Sequence, residues 1–228
     1  MCRRRNVEVS KNKQSLFEHK IHRSKGNRVY SEIVGPTALR RHDVEAFIYD
    51  RYWCTYQATL DSYSDCLLTL FSDDGRPLAA AGLRDQSEGF FSERYLDEPI
   101  DLAASRATGL SVERTAVLEI ANLACANSHT VFPLMSRILV HGRENGYSCG
   151  VFTATSRLRR IFRRLNLPLT YLGPASLHRV EDVGKWGTYY AADPKVCVLG
   201  DPAGGATDFF PRCKLESGAA APVVAHYG

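Results

Sequence analysis

Between residues 115 and 173 the chain alternates strand-like and helical periodicity, and this restricts its fold more than any other feature. TAVLEIANLA (115–124) is strand-like, with Val117, Leu118, Ile120 and Leu123 apolar and Glu119 and Asn122 as polar interruptions. Val131, Leu134, Met135, Ile138 and Leu139 then recur at i, i+3, i+4, i+7 and i+8, an amphipathic helix that closes near Gly142 to Gly146. GVFTA (150–154) reads as the next strand. A second helix follows with Leu158, Ile161, Phe162 and Leu165 on one face and Thr155 or Ser156 as its cap. LTYLG (169–173) is a strand again, and the stretch around Gly187 to Val198 reads as another. Strand–helix–strand units place their strands parallel, because the helix carries the chain back across the sheet.

The preceding segment obeys a different rule. CLLTLFSDDGRPLAAAGLR (66–84) has two apolar runs flanking Asp73-Asp74-Gly75, which predicts an antiparallel hairpin with Gly75 at positive φ. Before it, Pro36 and Thr37 suit the first turn of a helix whose apolar stripe is Val44, Phe47, Ile48 and Tyr52. Residues 86–110 predict short helices around Phe90-Phe91 and Tyr95-Leu96, and another starting near Pro99. A hairpin joined to parallel units gives an α/β fold with a mixed central sheet and helices on both faces.

Residues 1–33 are basic, polar and non-periodic and read as an arm. Residues 201–228 carry PAGGA and SGAAAPVV and read as a weakly structured extension, which leaves 34–200 as the folded domain. The N-terminal MCRRR lacks the apolar run of a secretory signal, and no stretch has the roughly 20 apolar residues of a membrane span. A composition of 44% hydrophobic and 24% charged residues is that of a globular chain. The net charge of +4 permits an acidic partner without implying nucleic acid. Seven scattered cysteines without a CxxC pair fit neither a disulfide framework nor a zinc site, which points to a reducing, cytoplasmic setting. His19 and His22 stand three apart in the basic arm, and no metal is assigned.

Four blocks carry a family resemblance: YLDEPID (95–101), VLEIANLA (117–124), GVFTATSRLRRIFRRLNL (150–167) and WGTYYAADPKVCVLG (186–200). With Arg51 and Arg84 they resemble the thermostable hemolysin family over roughly residues 45–200. Arg51, Arg84, Tyr95-Leu96, Pro99-Ile100, Glu119, Asn122-Leu123-Ala124, Thr153, Thr155, Trp186-Gly187, Tyr190 and Gly200 match its signature. Ala121 stands where that family more often has Gly, and Asp101 where it has Glu. The resemblance implies a GNAT-like acyltransferase fold, similar to the acyl-homoserine-lactone (autoinducer) synthases. Such enzymes move an acyl group from an acyl carrier protein or coenzyme A onto a small amine. In this fold two parallel strands splay apart and bind the pantetheine arm of the donor; here they would be 115–123 and 149–154. The phosphopantetheine thioester is then a donor substrate, not a permanently bound cofactor. ACANSHT (124–130) lacks the Gly-rich turn that binds pyrophosphate in ordinary GNAT enzymes, which turns the expectation toward an acidic acyl carrier protein.

On this reading Glu119 is the candidate general base, since an amine loses a proton as it attacks a thioester. Equally, it reads as a buried carboxylate ion-paired to Arg84 or Arg114. Arg51, Arg84 and Arg114 have guanidinium forks suited to a substrate carboxylate or to structural salt bridges. Asn122, Thr153 and Thr155 are placed to hold the pantetheine or the thioester oxygen, or to cap and tie strand ends. Trp53, Trp186, Tyr189 and Tyr190 can line a substrate pocket or fill the core. Arg157, Arg159, Arg160, Arg163 and Arg164 form a basic helix face, either merely solvated or a docking face for an acidic carrier. Cys125 reads as an inert buried thiol. No GxSxG, P-loop or GxGxxG is present. Two other function classes stay open: a membrane-lytic protein, as the family name suggests, and a non-catalytic GNAT-like binding module. A sheet closed between the two parallel strands would favour the second.

Overall fold

The structure, a computed structural model, describes residues 29–167 and 169–199. Gly200, the two arm histidines and the extension from 201 lie outside the described residues. The chain runs β1 (Val29–Val34), α1 (Arg41–Tyr56), β2 (Cys66–Ser72), β3 (Pro77–Arg84), α2 (Ile100–Thr108), β4 (Val117–Cys125), α3 (Val131–Glu144), β5 (Cys149–Ala154), α4 (Ser156–Arg164), β6 (Leu169–Pro174) and β7 (Lys195–Leu199). Short 3-10 helices punctuate it, the most consequential being Phe91–Tyr95. The described strands form one sheet in the order β1-β2-β3-β4-β5-β7-β6. Only β4 and β5 pair in parallel; every other neighbour is antiparallel.

The mixed sheet has helices on both faces. On one, Leu118 and Ile120 of β4 and Phe152 of β5 pack against α3 and α4 through Leu134, Ile138 and Phe162. On the other, Val117, Val151 and Val198 meet Ile100 and Ala104 of α2. Farther along that second face, α1 buries Val44 and Ile48 against Leu67, Ala80 and Ala124. The hairpin turn has Gly75 at φ +80°, as Asp-Asp-Gly predicts. Thr155 caps α4, its Oγ1 accepting from the Leu158 N–H.

Three sequence expectations need correction. The arm does not extend to residue 33: Val29–Val34 is an edge strand paired with β2 along its whole length. Only six residues long, with mixed polarity (VYSEIV), it lacks the alternation that marks a strand. The first helix begins at Arg41 rather than at Pro36, because Gly35 to Arg41 form tight turns that reverse the chain out of β1. Residues 187–198 are not strand throughout. Tyr189–Ala192 is a 3-10 helix, Asp193 has φ +51°, and β7 starts only at Lys195. Among the described residues no helix is long and apolar enough to cross a membrane.

Candidate active site

The site is made by a fault in β4. Gly82 of β3 faces Ala121, but Ala80 faces Ala124, so β4 spends one more residue than β3 over that interval. The bulge centres on Asn122, which has φ +49°, a left-handed conformation that Asn tolerates better than most residues. One extra residue reverses the side-chain alternation. Val117 turns toward the α2 face, whereas beyond the bulge it is Ala124 that turns toward α1. Gly82 is needed opposite, since a Cβ there would come within 2.5 Å of Ser64 Oγ and 3.2 Å of Asn122 Oδ1.

The parallel pairing of β4 with β5 begins at Val117↔Cys149 and stops at Ile120↔Phe152. Beyond it β4 stays bonded only to β3 and β5 only to β7, so the strands part. Their facing edges open onto a cavity of about 540 Å³ lined by Ile120 to Cys125, Phe152, Thr153 and Thr155. The predicted splay is therefore present, and the sheet is not closed there.

Glu119 lies at the root of the opening and is 1% exposed. Its Oε2 accepts from the Phe91 N–H at 2.6 Å and its Oε1 from the Ser92 N–H at 2.7 Å. Burial pushes its carboxyl above the usual carboxylate range, more than the donated hydrogen bonds pull it down. The expected ion pair with Arg84 or Arg114 is not what holds it. Arg84 faces Glu119 across the β3–β4 ladder, yet its Nε lies 3.7 Å from Glu88. Arg114 is engaged by Glu93 at 2.5 Å and Asp101 at 3.0 Å. Glu119 thus anchors the 3-10 helix Phe91–Tyr95 to β4. On its other side that helix is tied to β5, with Ser92 Oγ 2.9 Å from Thr153 Oγ1.

The structure brings together Arg51, Arg84, Glu119, Asn122, Thr153, Thr155, Arg157 and Trp186 around one cavity, and leaves others out. Trp53 is 43% exposed on α1 and does not line the cavity, because it follows Tyr52 on the helix and points away from it. Arg114 is a structural ion-pair residue beneath Glu93. Tyr190 stands behind the wall, its hydroxyl 2.6 Å from that of Tyr95, while Tyr95 itself faces the cavity. Trp186 packs at 5.8 Å from Phe91 and 5.6 Å from Tyr189, so the aromatic run is partly wall and partly core. Cys125 lines the cavity with its thiol pushed up to about 11 by burial, consistent with an inert role. On α4, Arg157, Arg160, Arg163 and Arg164 are exposed. Arg159 is not part of that face: it turns inward to the Asp193 carboxylate and the Ala154 carbonyl.

Sequence reasoning missed Ser92, Tyr52 and the clasp that bounds the cavity mouth. Lys185 Nζ bridges Asp61 and Asp182 at 2.7 Å each, and the Thr59 N–H donates to the Lys185 carbonyl. Tyr52 was visible, but only as part of the apolar stripe of α1. Ser92 has no signal beyond its place after Phe90-Phe91.

Residues 34–204 match the family model described as thermostable hemolysin. The chain belongs to that family. Among solved structures it is similar to FeeM, an N-acyl amino acid synthase from uncultured soil microbes, at 14% identity and a TM-score of 0.52, covering 78% of this chain and 92% of that one. It is also similar to the AHL synthase LasI, at 11% identity and a TM-score of 0.51, covering 76% and 90%. At such identities the likeness is one of fold, and it establishes the GNAT-like acyltransferase fold for this family member. No curated protein sequence matches the chain.

Proposed function

We propose that this chain is an N-acyltransferase that moves an acyl group from a phosphopantetheine thioester to the amine of a small molecule. The observation that carries this is the parting of β4 and β5 after Ile120 and Phe152, beside a buried carboxylate and above an open cavity. Strand edges freed there can pair with the amides of a pantetheine arm, as an added strand would. Proteins of the same fold whose names denote acylated products, FeeM and LasI, support the class.

The chemistry follows from the placement of Glu119. An amine reaching the thioester carbonyl forms a C–N bond, the C–S bond breaks, and the thiol leaves as the nitrogen sheds a proton. A carboxylate raised by burial is a better base than one in water, and Glu119 takes that proton directly or through a water. Each of its oxygens accepts one backbone N–H, which leaves lone pairs for this task. Asn122, Thr153 and Thr155 border the opening and hold the donor arm or the thioester oxygen.

The donor side has two features. The segment leading into α3 borders the cavity through Ala126, Asn127 and Ser128, but the Ala126, His129 and Val131 N–H groups are taken by Leu78, Asn127 and Ser128 and Pro133 has none, which leaves little there to hold a free phosphate. The exposed arginines of α4 adjoin it and form the docking face for an acidic acyl carrier protein, in preference to free coenzyme A. Five free cysteines among the described residues support a reducing, cytoplasmic setting.

Mass spectrometry of the full-length protein with acyl-carrier and coenzyme A thioesters, tested against a panel of amines, checks the reading. The expected result is N-acyl product and free thiol in equal amounts. No product from any donor would sink it. Reversing charge at Arg160 and Arg164 should raise the apparent KM for a carrier-borne donor on the order of tenfold, about 1.4 kcal/mol of docking. The KM for a coenzyme A donor should hardly move. A carrier KM indifferent to both mutations and salt would place docking elsewhere.

A further inference from the structure

Side chains rejoin the parted strands at the point where their backbones separate. Parallel pairing of β4 with β5 stops at Ile120↔Phe152, and Thr153 is the next residue of β5. Its hydroxyl lies 2.9 Å from that of Ser92, a buried residue of the 3-10 helix Phe91–Tyr95. Strand alternation explains why both strands meet this helix on one face. Val117 and Val151 point to the α2 face, so Glu119, still short of the bulge, and Thr153 point there too. The helix therefore lies across the apex of the splay. Its Phe91 and Ser92 N–H groups are on the Glu119 carboxylate of β4, and its Ser92 hydroxyl is on Thr153 of β5.

A short 3-10 helix has poor internal hydrogen bonds, so its position is set by what it touches. Its far end is held by Glu93, bonded to Arg114 and to the Ile100 N–H, and by Tyr95 against Tyr190. Its near end carries both backbone donors of Glu119 and is held to β5 by Ser92 and Thr153. Burial pushes the Glu119 carboxyl up, while the Ser92 side chain and N–H, the Phe91 N–H and the charge of Arg84 on β3 pull against it. Tyr95, the titratable group that faces it from the 3-10 helix, is kept neutral by its own burial.

We infer that Thr153 is a positioning residue that acts through Ser92: the hydroxyl pair sets the 3-10 helix, and the helix aims the Glu119 carboxylate into the cavity. The inference rests on the acyl-transfer reading for its catalytic meaning, and it gives Thr153 a role toward the base besides bordering the donor's opening. A carboxylate whose two oxygens are each fixed by one N–H presents its remaining lone pairs in one direction, and a small displacement of those donors turns them away.

Thr153→Val, which keeps the shape and removes the hydroxyl, tests this together with Ser92→Ala. Each should lower kcat on the order of tenfold and leave the KM of the thioester donor near wild type, the pattern of a misaligned base. Thr153→Ser should recover most of the loss. The double variant should lose no more than the worse single one, because either change breaks the same bond. In Ser92→Ala the acid limb of kcat/KM should move to higher pH, since the carboxylate loses a stabilising partner. Thr153→Val should move it the same way by slackening the two N–H bonds. Infrared titration of the donor-free protein, with the Glu119 band identified by its loss in Glu119→Gln, should show this upward shift without turnover. A Glu119 titration identical in wild type and both variants overturns the inference. So do additive losses in the double variant, or a raised donor KM at unchanged kcat, which would make Thr153 a donor ligand instead. Absence of turnover by the wild type with any donor would remove the acyltransferase reading, and the infrared titration would still decide whether the pair positions Glu119.

Discussion

Glu119→Gln is expected to lower kcat by about 10²- to 10³-fold, the range for loss of a positioned general base. It should also lower Tm, because the carboxylate is structural as well. Both oxygens accept a backbone N–H, so an amide must set its own NH2 against either Phe91 or Ser92. One buried donor then goes unpaired, at about 1–3 kcal/mol. For a domain of this size that is roughly 3–10 °C. The pH profile separates the two roles. Burial raises the Glu119 carboxyl, so the acid limb of kcat/KM should lie above the ordinary carboxylate range, and it should vanish in Glu119→Gln. For stability the sign runs the opposite way. A folded-state pKa above the unfolded one means the native state binds the proton more tightly. Glu119's contribution is therefore fully present below the ordinary carboxylate range and is lost as pH rises through its folded value. A kcat unchanged in a variant that melts early would leave Glu119 as an anchor and remove it from proton transfer.

This double duty was only half legible in the sequence. Strand β4 and its neighbours follow from apolar spacing, because alternation and helical stripes are written into residues 115–173, whereas the splay was expected only from the family resemblance. Glu119 could be singled out as a carboxylate within an apolar strand. What it touches could not, since its partners are backbone N–H groups 27 and 28 residues away, and a backbone donor leaves no mark in a sequence. The bulge at Asn122 was equally hidden: Ala-Asn-Leu reads as a continuing strand until Gly82 and Ser64 are brought across from it. Guanidinium groups show the same limit. Arg51, Arg84 and Arg114 were indistinguishable as residue types. Only the fold assigns Arg114 to Glu93 and Asp101, turns Arg84 toward Glu88, and sets Arg51 in the cavity wall. Trp53 failed for a simpler reason, since a single step along a helix turns a side chain by 100°, and Tyr52 has the inward position.

Gly187→Ala should be the most damaging alanine substitution among the described glycines, and its effect on the site should be selective. Gly187 has φ +49° and ψ −122°, a conformation that a side chain strongly disfavours. An added Cβ would also come within 2.1 Å of the Tyr56 carbonyl oxygen at the end of α1, far inside contact distance. That oxygen cannot easily withdraw, because it accepts from the Thr188 N–H at 2.8 Å. Strain and overlap together should cost about 3 kcal/mol, or near 10 °C in Tm. The segment that must move carries Trp186, which leans on Phe91, and Lys185, which clasps Asp61 across the cavity mouth. The acceptor KM should consequently rise, whereas the carrier KM, set by arginines on α4, should stay near that of the wild type. Gly184→Ala is the matched control, three residues away, with ordinary φ and open space where its Cβ would lie. Thermal melts and the split between acceptor and donor KM decide the matter. If Gly187→Ala melts with Gly184→Ala, the close approach to α1 is not what fixes this wall. If both KM values rise together, the segment supports the whole fold and not the acceptor end of the cavity.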